Sequence, residues 1–151
     1  MIEIVNYQPT YATAFKELNE AWINTYFVME DSDRKMLDNP QGYIIDKGGA
    51  IVIALMENKP VGTCALIPLK RGVYELAKMA VAPEAQGKKI GWKIGLATIE
   101  KAKELGAEKV YLETNSVLQP AISLYYKLGF KDVEGYDSPY NRCNVQMEMK
   151  L

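Results

Sequence analysis

The chain has 151 residues, 48% of them hydrophobic and 25% charged, which is the composition of one globular domain and excludes global disorder. Eighteen Lys and Arg against nineteen Asp and Glu give a formal net charge of −1, so the chain lacks the positive field that holds a nucleic acid. Histidine is absent, which excludes Ser-His-Asp, Cys-His and imidazole-based zinc chemistry. Two cysteines, Cys64 and Cys143, are too few for a disulfide framework or a four-ligand zinc site, so we expect no metal.

The distribution of apolar residues gives no sign of membrane targeting. No stretch reaches the ~18 consecutive apolar residues of a membrane span. The first residues also lack the basic and apolar regions of a signal peptide. We therefore expect a cytoplasmic protein with neither a membrane nor a nucleic acid as its partner.

The first half of the chain predicts a strand, two helices and three further strands. Apolar side chains recur at three- and four-residue steps from Tyr11 to Tyr26, which is one face of a helix that begins near Pro9. Ser32 is a suitable N-cap for a second helix over 33–38, which Asn39-Pro40 would end. The predicted strands are residues 2–6, 50–56, 61–69 and 73–81. Short turns join the last three strands, as in antiparallel neighbours.

The second half predicts helices that alternate with strands. The predicted helices are residues 90–105 and 120–128, and the predicted strands are residues 109–114, 130–135 and 143–151. Antiparallel hairpins beside helical crossovers imply an α/β protein with a mixed sheet and helices on both faces. We therefore expect a three-layer α-β-α arrangement in a single domain over residues 1–151.

The most informative stretch is the glycine-containing loop in front of the helix 90–105. Its sequence is VAPEAQGKKIG, residues 81–91. Such a loop exposes backbone N–H groups, and the helix N-terminus adds partial positive charge, so the arrangement suits a phosphate. Neither the P-loop pattern nor GxGxxG is present. On the loop alone, a plain turn with two solvated lysines, Lys88 and Lys89, is an equally good interpretation.

The same loop resembles the acetyl-CoA loop of the GNAT superfamily of N-acetyltransferases, whose pattern is Q/R-x-x-G-x-G/A. Gln86 and Gly91 match this pattern, whereas Lys89 stands where the first glycine is usual. A left-handed conformation at that position would cost a non-glycine residue roughly 1 kcal/mol or more. Asn115 followed by AISLYYKLGF, residues 121–130, is similar to the family's segment N…A-x-x-L-Y-x-K-x-G-F.

The resemblance covers residues 50–151 well and the N-terminal helices loosely, and it implies the GNAT (acyl-CoA N-acyltransferase) fold. More narrowly, ELAKMAV, YLETNSV and SPYNR look like the acetyltransferase half of bacterial proteins that fuse a MarR-type regulator to a GNAT domain. Because members of the family often form dimers, the resemblance also implies a homodimer.

The resemblance implies acetyl-CoA as the acyl donor. The backbone of Met79 and Val81 would pair with pantetheine like an extra strand, and Asn115 would contact the pantetheine or diphosphate. The residues implied in binding acetyl-CoA are Met79, Ala80, Val81, Gln86, Gly87, Lys88, Lys89, Ile90, Gly91, Trp92, Asn115 and Tyr125.

Acetyl transfer to an amine needs a base, an oxyanion donor and a proton for the leaving thiolate. Glu75 lies four residues before Met79 on one predicted strand, so we expect both side chains on one face. The resemblance makes Glu75 the base, the Met79 N–H the oxyanion donor and Tyr125 the acid. The alternatives are a hydrogen-bonded strand carboxylate at Glu75 and a core aromatic at Tyr125.

Five further residues are candidates for binding the acceptor. Trp22, Tyr26 and Glu30 are predicted at the end of the first helix, where the family places substrate-binding elements. Tyr140 and Arg142 precede the last predicted strand, where an arginine can clamp a substrate carboxylate and so favour a carboxylated amine. Simple packing of the aromatics and a solvated Arg142 are the alternatives.

The predicted function is an N-acetyltransferase that acts on a primary amine by direct attack in a ternary complex. A catalytically silent module that binds acyl-CoA is the alternative.

Overall fold

A seven-stranded mixed sheet forms the centre of the fold, and the computed structural model describes all residues from Met1 to Leu151. The strands are β1 (Ile2–Asn6), β2 (Ala50–Met56), β3 (Lys59–Lys70), β4 (Val73–Val81), β5 (Lys109–Thr114), β6 (Lys131–Asp132) and β7 (Val145–Lys150). The helices are α1 (Ala12–Tyr26), α2 (Asp31–Asp38), α3 (Ile90–Glu104) and α4 (Gln119–Leu128). The strand order is β1-β2-β3-β4-β5-β7-β6, and only the β4–β5 pair is parallel. None of these helices combines the length and the hydropathy that crossing a bilayer requires.

Two hydrophobic cores lie on opposite faces of the sheet, because the central strands are apolar on both sides. In β2, Val52 and Ala54 pack into the core under α3 and α4, whereas Ile51 and Ile53 pack into the core under α1 and α2. A strand that is covered on both faces has such a continuous apolar run. The predicted three-layer α-β-α arrangement is confirmed.

The first two helices begin and end differently from the prediction. The chain makes a 3₁₀ turn over Pro9–Tyr11, so α1 begins only at Ala12. The N-cap of α2 is Glu30 rather than Ser32: the Glu30 N–H donates to the Asp33 carboxylate at 2.9 Å within a capping box. Ser32 is therefore not the cap, and Glu30 belongs to the start of α2 rather than to the end of the first helix.

The predicted strand over 130–135 is wrong beyond the two residues of β6. After Asp132 the chain leaves the sheet, and β7 begins only at Val145. The intervening residues 133–144, here called the covering segment, lie against β5, where Tyr136 stacks on Tyr111 with 4.0 Å between ring centroids. The remaining strands and helices match the predicted ones within two residues at each end.

A β-bulge near the end of β4 opens the sheet. Relative to β3, one extra residue of β4 lies between Ala77 and Ala80, and Lys78 there has a φ of 54°. The bulge reverses the alternation, so Ala77 packs into the α1–α2 core and Met79 into the α3–α4 core. Glu75 lies on the same face as Ala77, and the prediction that it shares a face with Met79 is therefore wrong.

The parallel pairing of β4 with β5 ends before the bulge. It joins Val73–Glu75 to Lys109–Tyr111, and the two strands pair no further. The sheet therefore contains a gap between the second halves of β4 and β5, which connects its two faces.

Candidate active site

A cleft passes through the gap between β4 and β5. It is lined by residues from both strands, from α1 and α4, and from the covering segment. Its polar and aromatic lining includes Trp22, Phe27, Glu75, Lys78, Glu113, Asn115, Tyr125, Tyr140, Arg142 and Cys143. The gap thus brings side chains from opposite faces of the sheet to one place.

Glu75 projects from β4 into this cleft and is only 9% exposed. Burial raises the pKa of Glu75 to about 7; the negative charge of Glu113 also raises it, and the positive charge of Lys78 lowers it. A carboxyl group whose pKa is near neutrality can accept a proton and release it again at the pH of the cell. Glu75 can therefore exchange a proton with a ligand in this cleft, and its role as the base stays a prediction.

Tyr125 reaches the same cleft from α4, on the other face of the sheet. Its ring is buried and meets Phe130 edge-on, with 6.1 Å between centroids. Burial raises the pKa of the Tyr125 phenol, which keeps it protonated and able to donate. Its neighbour Tyr126 lies at the surface, where its hydroxyl donates to Asp132 at 2.8 Å.

The loop before α3 presents a row of free backbone donors. The N–H groups of residues 87–92 bond to no carbonyl, and the first bond of α3 runs from the Lys93 N–H to the Lys89 carbonyl at 3.1 Å. Lys89 has φ 59° and ψ 25°, so the lysine adopts the left-handed conformation that the glycine of the pattern would favour. Consecutive free donors at a helix N-terminus form a concave anion site, which fits a diphosphate.

The other residues predicted to bind acetyl-CoA lie around this loop and along β4. Met79 lines the cleft, whereas Ala80 is buried outside its lining. Val81 and Gln86 line a neighbouring groove between α1 and the loop. Trp92, in the first turn of α3, is 37% exposed.

The residues predicted to bind the acceptor divide into two groups. Trp22, Tyr140 and Arg142 line the cleft. Tyr26 is 51% exposed and lines the neighbouring groove instead. Glu30 lies outside the cleft lining, and its carboxylate accepts the Asn141 N–H at 3.1 Å.

Arg142 binds a carboxylate of the protein itself. Its Nη1 and Nη2 donate to the two oxygens of Asp33 at 2.6 and 2.8 Å. Lys78 Nζ donates to Asp33 at 2.6 Å and to the Tyr140 hydroxyl at 2.7 Å. Burial acts to raise the pKa of Asp33, but the bonds from Arg142 and Lys78 lower it to about 2. The predicted clamp on a substrate carboxylate is therefore corrected, because Asp33 occupies the guanidinium fork.

Asn115 fastens the covering segment to the end of β5. Its Nδ2 donates to the Arg142 carbonyl at 2.6 Å, and its Oδ1 accepts the Val117 N–H at 2.9 Å. Both ends of the amide are thus bonded within the protein, and the residue shapes the wall of the cleft. Its contact with acetyl-CoA stays a prediction.

Residues 11–130 match the acetyltransferase (GNAT) family. The chain belongs to this family. The uncharacterized N-acetyltransferase YjgM of Escherichia coli K12 is 36% identical over 90 residues, which are 58% of this GNAT chain and 54% of YjgM. The probable N-acetyltransferase camello of Xenopus laevis is 33% identical over 98 residues, 64% of this chain and 45% of camello. The chain spans about half the length of these curated relatives.

Solved structures share the GNAT fold over nearly the whole chain. A GNAT-family acetyltransferase from Staphylococcus aureus Mu50 superposes with a TM-score of 0.88 at 24% identity and covers 99% of both chains. PaiA N-acetyltransferase from Thermoplasma acidophilum, solved with coenzyme A, gives a TM-score of 0.77 at 23% identity, over 100% of this chain and 99% of PaiA. YncA from Salmonella typhimurium, solved with acetyl-CoA, gives 0.81 at 18% identity, over 99% and 94% of the two chains.

Three residues of this GNAT site have no counterpart in the sequence predictions: Asp33, Lys78 and Glu113. Glu113 shares a face of β5 with Tyr111, so strand alternation together with the register of β4 could have placed it beside Glu75. Lys78 reaches the site only because of the bulge. The sequence has no glycine at this position that would have predicted a bulge. Asp33 lies in a short, highly charged helix, which by composition predicts a solvated face.

Proposed function

We propose that this GNAT chain is an acetyl-CoA-dependent N-acetyltransferase that transfers the acetyl group to a primary amine by direct attack in a ternary complex. The observation that carries the proposal is the cleft through the sheet, which Glu75 lines from one face and Tyr125 from the other. The coenzyme A bound to PaiA and the acetyl-CoA bound to YncA support the same donor here. The donor would enter from the α3–α4 face and the acceptor from the α1–α2 face.

Two backbone features would hold the donor. The free N–H groups of residues 87–92 would bind the diphosphate. The part of β4 beyond Glu75 has no strand partner toward β5, so its backbone groups at Met79 and Val81 are open to an extended pantetheine arm. When bound, acetyl-CoA supplies an activated thioester.

The side chains of the cleft would move two protons. Glu75 takes a proton from the acceptor ammonium, directly or through water, and so frees the amine to attack. The new C–N bond forms as the C–S bond breaks, and Tyr125 donates its phenolic proton to the departing sulfur. The nitrogen then loses its remaining extra proton, which restores the Tyr125 phenol, and the proton held by Glu75 passes to solvent. The Met79 N–H is the donor proposed for the carbonyl oxygen. Burial raises the pKa of Cys143 to about 12, so this thiol stays protonated, which supports direct transfer without an enzyme thioester.

The test combines binding with turnover in the wild type and in Tyr125→Phe. Isothermal titration with acetyl-CoA should give similar Kd values for both proteins, because the ring remains. Release of free thiol in the presence of primary amines should fall ~10²-fold or more in kcat for Tyr125→Phe, the usual contribution of a general acid. Tight binding without turnover of any amine would favour the catalytically silent acyl-CoA-binding module. No binding at all would contradict both functions.

A further inference from the structure

Two carboxylates in the cleft form no ion pair with a basic residue. Lys78 and Arg142 are the basic residues of the lining, and both donate to Asp33. Arg142 also lies 3.4 Å from a carboxylate oxygen of Glu30. Two cations therefore face two anions inside the protein. Glu75 and Glu113, the acidic residues of the lining, lie outside this ion-pair cluster.

Glu75 and Glu113 lie on the same face of adjacent strands. Glu75 is paired in register with Tyr111, so Glu113 lies two residues further toward the open end of the gap. Glu113 accepts hydrogen bonds from the hydroxyls of Ser138 at 2.7 Å and Tyr111 at 2.8 Å, which fix its orientation without neutralising its charge. Glu75 is nine-tenths buried, points into the cleft and has no hydrogen-bond partner in the protein.

The wall beside these carboxylates is aromatic. Trp22 and Phe27 of the α1 end line it, with 6.2 Å between their ring centroids, and Tyr140 lies across from them in the covering segment. The guanidinium carbon of Arg142 lies over the Tyr140 ring, 4.5 Å from its centroid. Lys78 also lies over Tyr140, at 4.6 Å, and Arg142 over Phe27, at 5.9 Å, so cations of the protein already occupy these two rings. An alkyl chain of the acceptor can pack against Trp22.

We infer that the acceptor is an alkyl diamine, whose reacting amine lies at Glu75 and whose second ammonium pairs with Glu113. The inference rests on the proposed N-acetyltransferase function and assigns its substrate class. An acceptor that carries a carboxylate finds no uncommitted cation in the cleft and is repelled by Glu113. Removal of the second ammonium leaves Glu113 with its two hydroxyl donors but without a cationic partner.

Three acceptors test this assignment, because each differs from the next by a single group. Cadaverine carries two amines, pentylamine lacks the second amine, and lysine is cadaverine with an added carboxylate. With saturating acetyl-CoA, we expect kcat/KM for cadaverine to exceed that for each of the others by ~10-fold or more, the effect of one charge-assisted hydrogen bond. In Glu113→Gln, the preference for cadaverine over pentylamine should fall close to one. The matched control is Glu108→Gln, which removes the same charge from an exposed residue outside the cleft and should keep the preference.

Titration of cadaverine into the enzyme–CoA complex separates this inference from the proposed function. Binding that weakens ~10-fold in Glu113→Gln supports the diamine site even if no acetyl group is transferred, in which case only the proposed function is contradicted. Turnover of pentylamine or lysine at least as fast as of cadaverine overturns the diamine assignment and leaves the N-acetyltransferase function intact. A preference for cadaverine that survives Glu113→Gln overturns the role of Glu113.

Discussion

Glu75 is the residue at which burial and chemistry are most directly linked. Its pKa of about 7 arises from loss of solvent and from the charge of Glu113, so both causes belong to the cleft. An ordinary surface glutamate, with a pKa near 4.3, is a weaker base and accepts protons less readily. A glutamate at the same position on a fully exposed strand would lack this raised pKa.

The first prediction concerns the pH dependence of Glu75→Gln. A base must be ionised to act, so wild-type kcat/KM should rise with pH through about 7. Glu75→Gln should lower kcat by ~10²–10⁴-fold and remove the inflection near this pH. The measurement is a pH series of thiol release with a single amine. An unchanged inflection in Glu75→Gln would assign it to another group and remove Glu75 from the proposed mechanism.

The second prediction concerns the left-handed lysine before α3. Lys89 has a positive φ of 59°, which a residue with a Cβ adopts at a cost of roughly 1–2 kcal/mol. Lys89→Gly should remove that strain; because glycine also loses more chain entropy on folding, we expect a net gain of about 0.5–1 kcal/mol in the free energy of unfolding. The measurement is urea denaturation. Its matched control is Lys88→Gly, where φ is not positive, which should destabilise or leave stability unchanged. A loss of stability in Lys89→Gly would contradict the strain.

Several side chains of the site follow from the sequence and others do not. The resemblance placed Glu75 and Tyr125, and the structure brings both to one cleft. Arg142 was correctly placed beside the cleft but with the wrong partner, because a sequence does not say which carboxylate, the substrate's or the protein's, reaches a guanidinium. Asp33, 109 residues away along the chain, could be identified only from the fold.

At the scale of elements, one buried ion-pair cluster fastens α2, β4 and the covering segment together. Asp33 belongs to α2, Lys78 to the bulge of β4, and Arg142 to the covering segment. The Asp33 side chain is 0% exposed and that of Lys78 only 4%, so solvent cannot replace a lost partner. Each of the three elements therefore depends on the other two for charge balance.

The third prediction is that Asp33→Asn destabilises the protein by about 3–5 kcal/mol, because two buried cations lose their shared anion. Asp31→Asn, an exposed carboxylate in the same turn of α2, is the control and should change stability by less than about 1 kcal/mol. Denaturant unfolding at neutral pH measures both. Since the folded pKa of Asp33 is about 2, its contribution is full above the unfolded value and is lost as pH falls toward 2. Equal effects of the two substitutions would contradict the role of the cluster.

Periodicity predicts the elements of this fold better than it predicts their irregularities. Apolar runs in β2 to β4 and the helical spacing of α1 identified most of the elements within two residues. The bulge at Lys78 has no local signal, since it reflects a mismatch of pairing with β3 rather than a propensity. The covering segment has a strand-like start, but it is held by contacts with β5, which a local pattern does not report.

At the scale of the whole molecule, the sheet is two blocks joined by a short seam. β1 to β4 form one antiparallel block, and β5, β7 and β6 form the other. Three residue pairs between β4 and β5 join the blocks along the sheet. A ligand seated in the gap would contact both blocks and hold them together.

The fourth prediction follows from that geometry. Acetyl-CoA at 100 times its Kd should stabilise the folded protein by about 2.7 kcal/mol, which for a chain of this length raises Tm by roughly 5–10 °C. Pantetheine lacks the diphosphate that residues 87–92 would bind, and at the same concentration it should raise Tm much less. Thermal scans over a concentration series provide the measurement. Equal shifts with both ligands would contradict the anion site before α3.

The seam also determines when the cleft can exist during synthesis. One of its walls belongs to β4, which ends at Val81, and the opposite wall belongs to β5. β5 is held on its far side by β7, whose residues 145–150 pair with it along its whole length. A ribosome releases β1 to β4 first, whereas one core of that block also contains Leu112 of β5 and Met147 of β7. The nascent chain therefore has no cleft until Arg142 and β7 have emerged.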